Sequence, residues 1–243
     1  MRIVTLNTWK NEGDYERRLV LMAEGLAPLH ADAICLQECF TGGGADTAAS
    51  LAGRLGLRAH AAPARRKRRL HDGRQVMSAS GLAILTRHPG RAEIRGLESD
   101  PRDGQRIAQR LDLDVGGTPL RILNLHLTHL RGDRADGVRA DQLTAALTWA
   151  AADLEGGLVV AGDLNATAAE ASLAPLGLDP APATLQGRRA GAQPLPGLAI
   201  DHCVLLQEGG WRWASAHRAL DAPDAEGWFP SDHAAVVLDL VRA

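Results

Sequence analysis

The sequence predicts an α/β fold, a single sandwich or barrel-like unit of strands and helices. Three observations point there. Short apolar runs of strand length alternate with longer segments whose apolar residues recur at helical spacing. Polar residues with catalytic chemistry recur where the strand-like runs end, which is where α/β architectures collect functional side chains. Finally, 243 residues without a linker-like stretch or a short tandem repeat fit one domain, residues 1–243.

The first strand is read at 2–6 and closes on Asn7-Thr8-Trp9. A helix follows over 15–29, with Leu19, Met22, Ala23 and Leu26 at helix spacing. The run 33–37 is a short buried strand, and Glu38 stands at its C-terminal end. Thr41-Gly42-Gly43-Gly44 breaks the chain, and Asp46 reads as the N-cap of a helix to about Leu55. Residues 57–62 and 81–86 look like strands, and the basic tract Arg65-Arg66-Lys67-Arg68-Arg69 reads as a loop between them. Strands at 107–115 and 120–127 meet at the turn signal Gly116-Gly117. A helix over 136–154 precedes the strand 158–161, which runs into Gly162-Asp163-Leu164-Asn165. Residues 179–199, rich in Pro, Gly and Ala, read as a long loop. Strands at 200–206, near 211–218 and at 235–241 complete the chain, the last one after Ser231-Asp232-His233.

Composition narrows the function. Net charge is −2, which excludes a bulk polycation that coats nucleic acid. The charge is nevertheless uneven: residues 1–121 carry 19 basic and 14 acidic side chains, and residues 122–243 carry 8 and 15. The three cysteines form no CxxC pair, so buried, reduced thiols and a cytoplasmic protein are expected. No apolar stretch approaches 18 residues and no signal-peptide core begins the chain, so no membrane insertion is expected. Nothing in the sequence identifies a protein partner.

The polar clusters carry the chemistry. A carboxylate such as Glu38 at the end of a buried strand is costly unless paired or metal-bound. Asn7 ends its own strand in the same way, where it also suits a turn or cap. In Gly162-Asp163-Leu164-Asn165 the carboxylate and the amide, two apart, can face one small volume, although an Asx turn has the same signature. His126 and His129 lie close enough for one to meet a phosphate oxygen or a metal. Asp201-His202 and Asp232-His233 are two Asp-His steps, and a carboxylate that accepts from an imidazole N–H favours the imidazolium and suits proton transfer. The set is rich in hard oxygen donors, with no thiolate spacing and no HExxH, which suits Mg2+ or Mn2+ and metal-assisted phosphoester hydrolysis.

Seven segments, in order, resemble the endonuclease/exonuclease/phosphatase superfamily: VTLNTWK at 3–9, ICLQE at 34–38, SGLAILTRHP at 80–89, ILNLHLTH at 122–129, VVAGDLN at 159–165, IDHC at 200–203 and SDHAAV at 231–236. The resemblance implies a DNase I-like four-layer α/β/β/α sandwich, with two mixed β-sheets face to face, outer helices, and the site at one end of the sheets. It implies Glu38 as principal metal ligand, with Asn7 and Asp232 close to the ion. Asp163 would orient or deprotonate the attacking water, and Asn165 would hold the phosphate. His126 and His233 would donate to phosphoryl oxygens, with Asp201 orienting His233. Adjacent residues of an extended segment point to opposite sides, which makes Asp232 a poor candidate for that orienting role. His126 places the chain nearer the histidine-bearing members than the exonuclease III type, while His129 has no assigned role.

Three functions compete. One is a metal-dependent phosphodiesterase or nuclease on DNA or RNA, suggested by the basic tract. The second is the same chemistry on an inositol phosphate, a sugar phosphate or a lipid headgroup, suggested by the near-neutral charge and compact length. The third, a non-catalytic binding module, is disfavoured because Glu38, Asp163 and His233 are all present. Trp9, Trp228 and Phe229 adjoin site residues and suit either pocket lining or core packing.

Overall fold

In the computed structural model, two β-sheets pack face to face between outer helices. The structure describes residues 1–178, 185–186 and 199–243. Strand β1 (Arg2–Asn7) is followed by helix α1 (Tyr15–Leu26), which continues as a 3-10 turn to Leu29. Strand β2 (Ala33–Gly42), the short β3 (Ala45–Asp46) and helix α2 (Thr47–Leu55) come next. Strands β4 (Arg58–Ala62), β5 (Lys67–His71), β6 (Arg74–Thr86), β7 (Gly90–Leu97), β8 (Arg106–Val115) and β9 (Thr118–His126) lead to helix α3 (Asp133–Ala151). Strands β10 (Gly157–Asp163), β11 (Leu185–Gln186), β12 (Ala199–Gln207), β13 (Trp211–Ala219) and β14 (Ala235–Arg242) follow.

The first sheet runs β13-β14-β1-β2-β6-β4, with β3 on β2 and β5 on β6. The second runs β11-β12-β10-β9-β8-β7. Both are mixed: β1 pairs parallel with β2 and β10 parallel with β9, beside antiparallel neighbours.

Side-chain parity explains the layers. Along β1, Val4 and Leu6 pack under α1 and α2, among Leu19, Met22, Leu26 and Leu51. Ile3 faces the other way and meets Ile122, Val159, Ala161 and Cys203 of the second sheet. The outer face of that second sheet, Leu123, Leu125, Leu158 and Val160, is covered by Leu143, Ala146 and Ala150 of α3. The order is therefore helix, sheet, sheet, helix, as expected. The three cysteines are buried and unpaired. Among the described residues, no helix is long and apolar enough to cross a membrane.

Two expectations are corrected. The basic tract is not simply a loop: from Lys67 it enters β5, a hairpin with β6 in the register Lys67↔Ser78 to His71↔Arg74. The missed signal is Asp72-Gly73, both at positive φ (48° and 72°), the Asp-Gly pair that closes a two-residue hairpin. Gly162, expected just beyond a strand over 158–161, lies within β10. A Cβ there would stand 2.0 Å from the Leu125 carbonyl oxygen of β9, and its φ of 145° suits glycine. Strand β7 was not anticipated, and β2 and β6 are longer than expected. The loop expected over 179–199 lies, apart from β11 and Ala199, outside the described residues.

The space between the sheets is not wholly apolar. Asn124, fully buried on β9, donates from Nδ2 to the carbonyls of Leu36 (3.1 Å) and Ala83 (3.0 Å) in the opposite sheet. Its Oδ1 accepts from Gln37 Nε2 at 2.8 Å, and the same Gln37 nitrogen reaches Thr5 Oγ1. This network pins the two sheets in one relative position near the end where β1, β9 and β10 stop.

Asn124→Ala removes these links and leaves buried partners unmatched, at an expected cost of about 2–4 kcal/mol. Urea denaturation checks it, and a change under about 0.5 kcal/mol would show the network to be dispensable. His202 gives a second test. Its Nε2–H donates to the Ala166 carbonyl at 2.8 Å, and burial holds its pKa below the usual 6.5. The unfolded chain therefore takes up a proton first as pH falls below about 6.5, and stability is lost from there downward. In His202→Gln the fall in stability from pH 6.5 to 5 becomes shallower, by at most about 1.4 kcal/mol per pH unit. An unchanged slope would mean that His202 titrates normally in the fold.

Candidate active site

Parity places the polar strand ends on the seam between the sheets. Asn7 follows Ile3 and Thr5 on the inner face of β1. His126 follows Ile122 and Asn124 on β9, Asp163 follows Val159 and Ala161 on β10, and Asp201 shares its face of β12 with Cys203. Registers bring these residues level: Asp163 pairs with His126 on one side and with Asp201 on the other. Glu38 breaks the pattern. Strict alternation would point it toward the helices, but the register of β2 against β6 shifts between Leu36 and Cys39, and Glu38 sits at φ 56°. A bulge of this kind re-aims a side chain, and the strained φ marks a position held by its surroundings.

The loops are held as firmly. Arg18 of α1 is fully buried and stacks over the Trp9 ring at 4.9 Å. Its guanidinium donates to the carbonyls of Thr8 (2.8 Å), Lys10 (2.9 Å), Glu12 (2.9 Å) and Pro230 (3.3 Å). One side chain thus fixes the turn after β1 and the approach to Ser231-Asp232-His233. Ser231 Oγ adds a bond of 2.6 Å to the Asn7 carbonyl.

Asp163 is the hub. Its Oδ2 accepts from Asn7 Nδ2 at 2.9 Å and lies 3.5 Å from His126 Nε2 and 4.0 Å from His233 Nε2. His233 Nδ1 donates to Asp201 Oδ2 at 2.7 Å, whereas Asp232 Oδ1 is 3.9 Å from the other ring nitrogen. The carboxylate that orients His233 is thus the distant Asp201, not the adjacent Asp232. The turn readings also hold locally: Asp163 Oδ1 accepts from the Asn165 N–H (3.0 Å), and Asn7 Oδ1 accepts from the Trp9 N–H (2.9 Å). Asn165 spends one amide hydrogen on the Leu127 carbonyl (3.1 Å) and keeps a second for a ligand.

The two histidines are driven apart. Burial, with the charges of Arg106, Arg65 and Lys10, holds His126 well below the usual imidazole range. Burial also works against a charged His233, but Asp201, by charge and hydrogen bond, outweighs it and raises His233 well above that range, with Asp163 and Asp232 adding to the effect. Near neutrality the site therefore holds one neutral imidazole and one imidazolium, the kind of split that separates acid and base roles.

Asn7, Glu38, His126, Asp163, Asn165, Asp232 and His233 line one cleft of about 290 Å³, with Trp9, Lys10, Arg65 and His129. Asp201 lies behind His233 rather than in the cleft. Trp228 lies under Arg17 instead, at 5.1 Å, and Phe229 is buried.

The donor set suits a hard cation. Burial pushes Asp232 up to about 7, and the neighbouring Glu38 and Asp163 charges act in the same direction, so a cation there would relieve a buried carboxyl. Glu38 holds Lys10 Nζ at 2.8 Å, so its carboxylate already faces positive charge. Asn7 Oδ1 retains a lone pair. A second grouping, Asp163, Asp201 and His233, brings ligand atoms within 4.8 Å of one another, but its imidazole and one carboxylate are spent on each other.

Several residues were not anticipated. Lys10 and Arg65 line the cleft, and Gln37 and Asn124 brace it from below. Behind His126 and His129 lies a buried ion pair: Arg106 Nε donates to Asp103 Oδ2 at 2.7 Å, and both residues are almost wholly inaccessible. Arg106 Nη1 donates to the His126 carbonyl (3.3 Å), and His129 Nδ1 lies against both Asp103 Oδ1 and Arg106 Nη2, the latter at 3.1 Å. Asp103 is held far below the usual carboxylate range, since these bonds outweigh its burial. The polar Asn124 and Gln37 inside apolar runs were a usable signal. Asp103 and Arg106 had none, being ordinary charges in an irregular stretch.

Comparison with known proteins agrees with this fold. No curated protein matches the chain in sequence. Solved structures similar to it include a conserved protein of unknown function from Enterococcus faecalis V583, at 18% identity, TM-score 0.71 and full coverage of both chains. An endonuclease/exonuclease/phosphatase family protein from Leptotrichia buccalis C-1013-b has 13% identity and TM-score 0.74, with 99% of each chain covered. TDP2 from C. elegans has 17% identity and TM-score 0.68, covering 100% of this chain and 75% of that one. At these identities the likeness shows the fold. The pattern of the endonuclease/exonuclease/phosphatase family matches residues 4–233, and the chain belongs to that family of phosphoester hydrolases.

Proposed function

We propose that this chain is a single catalytic domain that hydrolyses phosphodiester bonds with the help of Mg2+ or Mn2+, by in-line attack of water. One observation carries the reading: Asn7, His126 and His233 converge on Asp163, in the cleft that buried Glu38 and half-buried Asp232 also line. A bound divalent ion would neutralise phosphoryl oxygens and activate water, and Glu38, Asp232 and Asn7 would hold it.

The chain's own groups account for the proton movements. Asp163 takes a proton from the attacking water as the new P–O bond forms. His233, kept charged by Asp201, gives its Nε2 proton to the departing alcohol oxygen as the old P–O bond breaks. Neutral His126 and the free amide hydrogen of Asn165 hold the non-bridging oxygens. The products are a phosphate monoester and an alcohol.

A nuclease acting on DNA or RNA is the substrate reading we favour, and a location in the cytoplasm goes with it. The support is that the cleft shares Lys10 and Arg65 with a wider groove of about 600 Å³, lined also by Lys67, Arg68 and Arg69 of the basic tract, although Glu12, Asp14, Glu16 and Asp72 confine its positive charge to the part beside the cleft. Hydrolysis of an inositol phosphate, a sugar phosphate or a lipid headgroup is the alternative, supported by the small volume of the cleft itself. Turnover of single- and double-stranded DNA and RNA beside such small phosphoesters, with Mg2+ and with Mn2+, separates the two.

Asp163→Asn and His233→Ala are expected to lower kcat by about 10²–10⁴-fold in protein that still unfolds cooperatively, with a lower unfolding midpoint for His233→Ala because buried Asp201 loses its partner. Near-normal turnover in either variant would remove the role assigned to that residue. Glu38→Gln is expected to raise the metal concentration for half-maximal activity at least about tenfold. An unchanged metal titration would place the ion elsewhere, with the Asp163, Asp201 and His233 grouping next in line.

A further inference from the structure

The basic tract is not absorbed by the hydrolytic centre. Arg65 sits at its head, half-buried at φ 48°, and lines both the catalytic cleft and the wider groove beside it. Lys67 and Arg69 follow on the same face of β5. Two neighbouring cations are matched by carboxylates, Lys10 by Glu38 and Arg106 by Asp103. Among the described residues, no carboxylate pairs with Arg65, Lys67 or Arg69. Arg69 is nearly buried, bonds Ser78 Oγ at 2.8 Å, and leaves its buried Nε without a partner. Burial lowers the pKa of all three, and their mutual repulsion lowers that of Lys67 and Arg69 further. Glu38, Glu12 and Asp103 act on them only at longer range, so three crowded, partly desolvated cations with no directly paired carboxylate form a receptor for an anion.

We propose that Arg65, Lys67 and Arg69 bind a second phosphate group of the substrate, one that lies beside the scissile phosphoester and is not cleaved. This inference rests on the phosphoester reading above and narrows it. The rest of the same groove limits how much charge it accepts. Its other residues include Glu12, Asp14, Glu16 and Asp72, and Asp14 is committed to capping α1. Those carboxylates repel a polyanion that continues along the groove. The bay therefore suits one further phosphate close to the scissile bond rather than a long track of them. Two sources carry that chemistry: the neighbouring phosphate of a nucleic-acid strand, or the second phosphate of a small bisphosphorylated molecule.

The test uses matched substrates that differ by one phosphate. One pair is the dinucleotide TpT with and without a 5′-terminal phosphate. The other is a glycerophosphoinositol with and without a phosphate on the ring. The readout is the ratio of kcat/KM within each pair, for the unaltered protein, for Lys67→Gln and for Arg65→Gln/Lys67→Gln. The phosphorylated member is expected to be preferred at least about tenfold, a preference falling toward unity in the variants, as for loss of a charge-assisted bond. The pair that shows the preference identifies the source. Lys67 is exposed on an edge hairpin, so its single variant serves if the double one unfolds. Calorimetric binding of inorganic pyrophosphate to the metal-free protein provides a readout that needs no turnover. If no substrate is cleaved, the phosphoester reading fails, yet at least tenfold weaker pyrophosphate binding in the variants would still support the bay. Equal pyrophosphate binding in all proteins, or equal ratios in the variants and the unaltered protein, would overturn it.

Discussion

The site depends on one constraint: polar side chains that end inward-facing strands lie in a seam almost closed to water and must satisfy one another. Asn7 from the first sheet donates to Asp163 of the second, and Asp201 of the second accepts from His233, which precedes β14 of the first. Neither sheet can complete the arrangement alone. A buried hydrogen bond to a charged group is worth about 1.5–3 kcal/mol, and leaving one partner unmatched costs at least as much. The catalytic geometry is thus also part of what fixes the two sheets against each other, and Gln37 and Asn124 extend the same bracing deeper.

Rigidity at this end has a second origin in the backbone. Trp9, Lys10, Glu38 and Asn165 all lie at positive φ, which non-glycine residues adopt only when their surroundings compel it. The bonds of Arg18 to the turn after β1 supply that compulsion for Trp9 and Lys10. The bulge in β2 and the Asp163–Asn165 turn supply it for Glu38 and Asn165. Such strain is tolerable where cores are packed and loops are clamped, and it presents groups that regular strands would hide.

Much of this was legible in the sequence, because a strand has a period of two and its end is marked by the first polar residue. Asn7, His126 and Asp163 were found in that way, and so was Glu38, although β2 in fact runs past it to Gly42; Asp46 and Asp72-Gly73 carried readable cap and turn chemistry. Parity could also have exposed Gln37 and Asn124, each in phase with the inward residues of its strand. Glu38 could be located but not aimed, since a bulge depends on pairing with a distant strand. The Asp103–Arg106 pair was illegible for a similar reason: its burial is made by contacts with His126 and His129, not by any local pattern. The roles in the site came from the order of seven motifs, which single residues could not supply.

The depth of each group in the seam follows from what it costs to desolvate. Neutral amides, Gln37 and Asn124, occupy the innermost level, where a lone charge would be least tolerable. Above them stand Asp163, Asp201 and His233, charges that are buried but matched to one another. Glu38 and Asp232 come next, carboxyls matched only in part, one by Lys10 and the other driven toward its neutral form by burial. At the rim lie Arg65 and Lys67, cations with no paired carboxylate among the described residues. Read outward, the seam changes from self-sufficient to incomplete, first lacking positive charge and then lacking negative charge. A phosphoester beside a divalent cation, as proposed above, would supply both in that order.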